Sequence, residues 1–422
     1  MIFCFGPKVT VHALPDDVLA DIFEYCVPWS SVDGLKNNAF PSHSSFDTTQ
    51  PPWTISHVCS NWRAVILSLP RLWSTVRILN VQRFRAVDPR HVTFAQQLKL
   101  VFKRSEPMLL SLSFRTDRGL YNTQVLPVLL ATMSRWKCLR FERTFPNRFH
   151  EVFNRKSLPL LTHLSVSFCK KPTGHTILDT PSLRYFEEEN CDGLNLLEVP
   201  WAQITHYGCD GRNLGHATRM LDLRSLHVRD VGSVSITQVA PSTLAKLTNV
   251  YIVDADHKPW DLASITIPWL LSHFHLPSMR TLACTSVSIE DAQLDGIVNL
   301  SLSLTKRYSG LGDEIFDFLH SAPNIETLHI AGPYVLNTLL RSTDDNEEPI
   351  LQKLRYLHAT HTHVWDTDNL DPAVVIQHMQ ELGAPIELLS IYQERDVPKE
   401  HREISGVRVV YHSDREFPRP AA

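Results

Sequence analysis

Glycine is scarce in this chain, 15 residues among 422, and no Gly-rich phosphate loop occurs, so the usual backbone cradle for a nucleotide is missing. H-E-x-x-H and G-x-S-x-G are also absent, which removes the common zinc-protease and serine-hydrolase arrangements. Eight cysteines (Cys4, Cys26, Cys59, Cys138, Cys169, Cys191, Cys209, Cys284) are scattered without C-x-x-C or a regular pairing interval, so neither a disulfide framework nor a zinc knuckle is indicated. Most lie in apolar runs, where cysteine acts as a small hydrophobe. No apolar run reaches the roughly 18 residues that a membrane span requires. The opening Met1–Lys8 lacks the charged start and long apolar stretch of a secretory signal. A net charge of -4 and a pI near 6.6 offer no global attraction to nucleic acid or to an anionic membrane. The one basic stretch, 71–118, reads as a solvated face. Together these absences predict a cytoplasmic or nuclear protein with no nucleic-acid partner and no membrane association.

What is present is ordinary core material, 43% hydrophobic and 20% charged, in a chain longer than one globular core usually supports. A second domain or a repeat architecture is therefore expected.

The first strong pattern is LPDDVLADIFEYCVP from Leu14. Pro15 followed by Asp16 and Asp17 marks a helix start. Leu14, Val18, Ile22 and Cys26 form one i, i+4 row, with Leu19 and Phe23 beside it. The stripe is wider than a short helix needs for its own domain, as expected where a partner covers part of it. A Ser- and Pro-rich stretch, 28–52, reads as an inserted loop. Then Ile55, Val58, Cys59, Trp62, Val65, Ile66 and Leu69 recur at helical spacing up to Pro70.

Leu14-Pro15 with Leu19, Ile22 and Phe23, then Val58-Cys59 with Trp62-Arg63, then Leu69-Pro70 with Leu72-Trp73, resembles the F-box pattern, most closely that of the large families of mushroom-forming fungi. The resemblance implies a small helical module that docks on the S-phase kinase-associated (Skp-type) adaptor, which binds a cullin scaffold carrying a RING subunit. It implies adaptor contact at Leu14, Pro15, Val18, Leu19, Ile22, Phe23, Val58, Cys59 and Trp62. Trp62 and Trp73 match positions that mostly pack the module's own interior.

Beyond an amphipathic segment near 91–104 an apolar-x-x-apolar-x-apolar unit recurs. Its middle positions are Leu112, Leu139, Leu164, Phe186, Tyr207, Leu226, Val250, Leu282, Leu300, Leu328, Leu357 and Leu389. Such spacing suits leucine-rich repeats. Pro159, Pro181, Pro277 and Pro323 place breaks before strands, and helix-like segments fall at 124–136, 313–321 and 372–382. The expected fold class is α/β, a small helical F-box module followed by a curved leucine-rich-repeat-like α/β solenoid. The expected boundaries are a tail 1–11, the F-box domain 12–80, a linker helix 81–105, the repeat domain 106–411 and a tail 412–422.

Side chains alternate along a strand. The residue after each middle position should therefore face the concave solvent surface: Ser113, Arg140, Ser165, Glu187, Gly208, His227, Tyr251, Ala283, Ser301, His329, His358 and Ser390. Arg140, Glu187, His227, Tyr251, His329 and His358 are the candidate contacts for a protein substrate. The histidine groups His358/His361/His363 and His273/His275 lack acidic or cysteine partners nearby in sequence, so no metal and no cofactor is expected. The acids Asp344, Asp345, Glu347 and Glu348 read as a solvated loop. The expected function is a non-catalytic substrate receptor of an SCF-type cullin-RING ubiquitin ligase, serving ubiquitin-dependent degradation of an unknown protein. The alternative is a repeat-based interaction scaffold outside any ligase.

Overall fold

In the computed structural model of the chain, the described residues are 14–27, 44–79, 90–115, 124–144, 146–168, 175–189, 197–229, 241–253, 266–284, 294–303, 311–331, 351–361, 372–393 and 401–413. The protein is a mixed α/β chain that forms two compact units, Met1–Pro200 and Trp201–Ala422. That division falls inside the stretch read from sequence as one repeat domain.

Among the described residues, unit one begins with three helices, α1 (Asp16–Cys26), α2 (Trp53–Ser56) and α3 (Ser60–Leu67), and a 3-10 turn Pro70–Trp73. Strand β1 (Thr75–Leu79) follows, so the boundary placed at residue 80 cuts after the first strand of the sheet. Of the expected inserted loop, 28–43 lies outside the described residues, while 44–52 is turn-rich. Part of it closes the edge of β1: the Ser45 N–H donates to the Arg77 carbonyl at 2.9 Å, and the Arg77 N–H donates to Ser45 Oγ at 2.8 Å. Polar backbone at a sheet edge needs such partners.

The expected linker helix is α4 (Arg90–Arg104). Near its C-terminus the Arg104 guanidinium lies over Trp73 and Trp53, 4.4 and 5.2 Å from the ring centroids, and burial lowers its pKa. Then come β2 (Leu110–Arg115), α5 (Val125–Leu130), β3 (Trp136–Thr144), α6 (Pro146–Phe153), β4 (Lys156–Ser157), β5 (His163–Phe168), β6 (Thr176–Asp179), β7 (Tyr185–Glu189) and β8 (Leu197–Glu198). Strands β1, β2, β3, β5 and β7 pair in parallel in that order, and β4, β6 and β8 form a small second parallel sheet.

Unit two contains β9 (His206–Asp210), β10 (Ser225–Arg229), β11 (Ser242–Thr243), β12 (Asn249–Val253), α7 (Thr266–His273), β13 (Phe274–His275), β14 (Thr281–Cys284), β15 (Asn299–Ser303), α8 (Leu311–His320), β16 (Thr327–Ala331), β17 (Tyr356–His361), α9 (Pro372–Glu381), β18 (Leu388–Gln393), β19 (His401–Ile404) and β20 (Val407–Ser413). Its main sheet runs β9-β10-β12-β14-β15-β16-β17-β18-β20-β19. All pairs are parallel except the terminal β19/β20 hairpin, which neither the repeat spacing nor the expected helices revealed.

The twelve apolar middle positions fall on one register row in each unit. Leu112, Leu139, Leu164 and Phe186 are cross-strand partners in unit one. In unit two the partners run from Tyr207 through Leu226, Val250, Leu282, Leu300, Leu328 and Leu357 to Leu389. All twelve are buried. A second ladder precedes them, built on tight turns: the N–H of Leu161, Leu183, Leu223, Leu247 and Ile297 each donates to the carbonyl three residues earlier. Pro159, Pro181 and Pro277 occupy the second position of such turns, where the fixed φ of proline fits. Each turn then feeds the next strand, as where Arg224 and Ser225 both donate to the Thr205 carbonyl, and Thr248 and Asn249 both donate to that of Arg224.

The closest spacing of the ladder, from Leu282 to Leu300, explains one glycine. A Cβ on Gly296 would lie 2.8 Å from the Met279 carbonyl oxygen, a backbone atom that cannot swing aside. Gly296→Ala is expected to destabilise the chain by about 1–3 kcal/mol, the usual range for overpacking, read as a lower urea midpoint. An unchanged midpoint would mean that the turn can shift freely.

Candidate interaction surfaces

Helix α1 carries two apolar faces. Leu19, Phe23 and the following Val27 are buried, and Phe23 meets Trp62 edge to face at 5.0 Å. The adjacent face stays open, with Val18 39%, Ile22 41% and Tyr25 92% exposed and Pro15 exposed ahead of them. These four lie at i, i+3, i+7 and i+10, one side of a helix.

The nine residues expected to touch an adaptor therefore divide. Leu19 and Phe23 are corrected to anchors of α1, because an apolar side chain already enclosed has no surface to offer. Trp62 is half-buried against Phe23. Cys59 caps α3, accepting the Trp62 backbone N–H on Sγ at 3.4 Å, a local role that its place in the pattern did not disclose. Leu14 is half-buried, while Pro15, Val18, Ile22 and Val58, the last 57% exposed, remain open. Tyr25 belongs with them and was missed, although its spacing from Val18 and Ile22 marked it. An Arg71 to Glu24 ion pair at 3.1 Å ties α1 to the 3-10 turn.

The second surface is the sheet face opposite the apolar ladder. Strand pairing places Arg77, Ser113, Arg140, Ser165 and Glu187 in one row of unit one. In unit two it aligns Gly208, His227, Tyr251, Ala283, Ser301, His329, His358 and Ser390. The expected row is thus reproduced residue for residue, with Arg77 added. Its exposure is corrected. Ser113, Gly208, Ala283 and Ser390 are buried, because neighbouring strands lie about 4.8 Å apart and longer side chains in the row close over short ones. Arg140, Glu187, His227, Tyr251, His329 and His358 are each half-buried.

The two units present different chemistry here. In unit one Glu142 Oε1 lies 3.4 Å from Arg77 Nη2 and 3.5 Å from Arg140 Nε, so two guanidinium groups flank one carboxylate. His163 stacks on Tyr185 at 4.0 Å. In unit two the row is aromatic and imidazole: His227 stacks on Tyr251 at 4.3 Å, and His329 on His358 at 4.3 Å with only 8° between the planes. Burial raises the Tyr251 pKa and lowers that of His329.

Among the described residues no three His, Cys, Asp or Glu side chains group as a metal site would require. His358 is engaged with His329, whereas His363 and the acids at 344–348 lie outside the described residues. Cys138 is enclosed, and burial, the largest influence on it, pushes its thiol up to about 11, which leaves it in the unreactive form. Among the described residues no helix is long and apolar enough to cross a membrane. No family model matches the chain, and no curated protein matches it.

Proposed function

We propose that the chain is the substrate-receptor subunit of an SCF-type cullin-RING ubiquitin ligase and is itself non-catalytic. On this reading α1 to α3 dock a Skp-type adaptor, and the parallel strand array is a leucine-rich-repeat-like solenoid whose polar face holds a protein target. One observation carries the reading: α1 seats one apolar face in its own unit and leaves a second, formed by Pro15, Val18, Ile22 and Tyr25, open to solvent. An amphipathic helix with an uncovered apolar row is what a helix-in-groove partner takes up. The one-register apolar ladder, the turn before each strand and the helices between strands support the repeat assignment. Such a receptor acts by holding a target near the conjugating enzyme, which raises effective concentration and asks no acid, base or nucleophile of the receptor. Action in the cytoplasm or nucleus belongs to the same reading.

The test is co-purification of the adaptor with wild type and with Val18→Lys/Ile22→Lys, each shown to be folded by circular dichroism. Both side chains are open, so the charges should leave the fold intact while weakening capture at least about thirty-fold, the effect of losing one hot-spot contact of about 2 kcal/mol. Undiminished capture by the folded variant would remove α1 as the docking element. No capture by folded wild type would leave the interaction scaffold as the reading.

A further inference from the structure

The sheet face of unit two is nearly free of fixed charge. On β9 to β18 the two register rows from His206 to Leu388 and from Gly208 to Ser390 contain no Asp, Glu, Lys or Arg, and among the described residues of these strands the charged side chains on this face are Asp210 and Arg229 at the ends of β9 and β10, in a chain that is 20% charged. Histidines are the only members of these rows whose charge changes near neutral pH. Two of them, His329 on β16 and His358 on β17, are cross-strand partners with parallel rings at 4.3 Å, both half-buried.

We propose that His329 and His358 form a proton-sensitive pair, through which the charge of this face and the stability of unit two change together as pH falls through the histidine range. Stacked neutral imidazoles attract through their ring faces, whereas two imidazolium ions at that separation repel. The groups that face the pair from the neighbouring strands are Asn299 and Ser301 on β15, Thr327 and Ala331 on β16, Tyr356 on β17, and Leu388, Ser390 and Tyr392 on β18. None of these strand positions carries an Asp, Glu, Lys or Arg. The nearest fixed charge in the strand register, Arg408 on β20, lies two strands away from His358. Burial disfavours an added proton on His329, lowering its pKa.

The sign follows from linkage. A histidine whose folded pKa is depressed binds its proton more readily in the unfolded chain. Stability from the pair is therefore fully present above the ordinary value of about 6.5 and is lost as pH falls below it. The His227/Tyr251 stack of the same unit pairs a histidine with a tyrosine at the same 4.3 Å across neighbouring strands, so His358→Tyr is a replacement already in use on this sheet face. The inference concerns the target-holding face but does not rest on adaptor docking, and its test uses neither adaptor nor target.

The experiment is thermal unfolding of the full chain and of His358→Tyr between about pH 7.5 and 5, together with imidazole resonances of ring-labelled histidine assigned with His329→Phe and His358→Tyr. Wild type should lose about 2–4 °C more than His358→Tyr on acidification for each pKa unit of depression. The His329 resonance should titrate below the ordinary range and move upward when His358 is replaced, as coupled sites do. A His329 midpoint that is identical in wild type and His358→Tyr, or equal acid losses in the two chains, would overturn the proposal.

Discussion

Replacement of Phe141 by alanine should lower the unfolding free energy by about 3–5 kcal/mol, the range for removing a large aromatic from a closed core. Phe141 on β3 is fully buried and is the hub of an aromatic cluster: it stacks on Phe114 of β2 at 5.3 Å and meets Phe149 and Phe153 of α6 at 5.1 and 5.3 Å. Phe149 extends the cluster to Phe168 at 5.8 Å, and Phe153 to Trp136 at 6.2 Å. All these rings are buried. The cavity left by alanine would open between a sheet and the helix that covers it, where neither can collapse without breaking strand pairing. Aromatic edge and stacking contacts add to the lost transfer energy. Phe141→Leu should cost much less, about 1–1.5 kcal/mol, because it retains most of the apolar volume. Urea unfolding of unit one, followed by tryptophan fluorescence, measures both, and similar losses for Ala and Leu would show that packing at this point is loose.

The apolar half of this core was legible in the sequence and the covering helix was not. Phe141 ends the unit WKCLRF, and the same six-residue pattern located twelve strands because a buried ladder demands an apolar side chain at the same place in every copy. Helices α6 and α7 were missed. Each is eight residues long, too short for helical periodicity to stand out from a Leu- and Phe-rich background. Phe186-Glu187-Glu188 departs from the apolar pattern, yet β7 keeps register, and Glu188 occupies an inward position at 2% exposure. Backbone pairing there overrides a residue that local pattern argues against. Strand β1 was hidden because its Val76 and Ile78 directly follow Trp73, the last residue of the pattern that resembles an F-box.

For the candidate surfaces, period-two alternation identified which residues share a face, so the row from Ser113 to Ser390 was readable in advance. What those residues touch was not readable. The stacks of His227 on Tyr251 and His329 on His358 depend on cross-strand register, and residues brought together by pairing are distant in sequence. On α1 both apolar rows were visible, but a single helix cannot say which row faces its own core. Burial of Leu19 and Phe23 decides that, and it moves the open surface to Val18, Ile22 and Tyr25.

Arg135 belongs to no motif, and Arg135→Ala should nevertheless cost about 2–3 kcal/mol, as expected for charge-assisted hydrogen bonds whose acceptors are left behind. Its guanidinium reaches back across the chain to the C-terminal end of α4. Nε donates to the Met108 carbonyl at 2.9 Å and Nη1 to that of Phe102 at 3.3 Å, while Nη2 donates to the carbonyls of Ser105 and Met108 at 2.9 and 2.6 Å and to Ser105 Oγ at 2.8 Å. The last carbonyls of a helix have no partners within it, and a cation placed there also meets the favourable end of the helix dipole. Burial lowers the Arg135 pKa, and the Glu106 carboxylate works against that shift, so the group keeps its charge throughout the physiological range. Ser105 is fully buried, and water cannot replace the lost donor at its side chain without opening the turn. Lysine should fail to rescue, since one ammonium cannot span acceptors spread over Phe102, Ser105 and Met108 as a planar fork does. If Arg135→Lys unfolds at the wild-type urea midpoint, charge at the helix end suffices, and the fork geometry is not what holds α4 to β3.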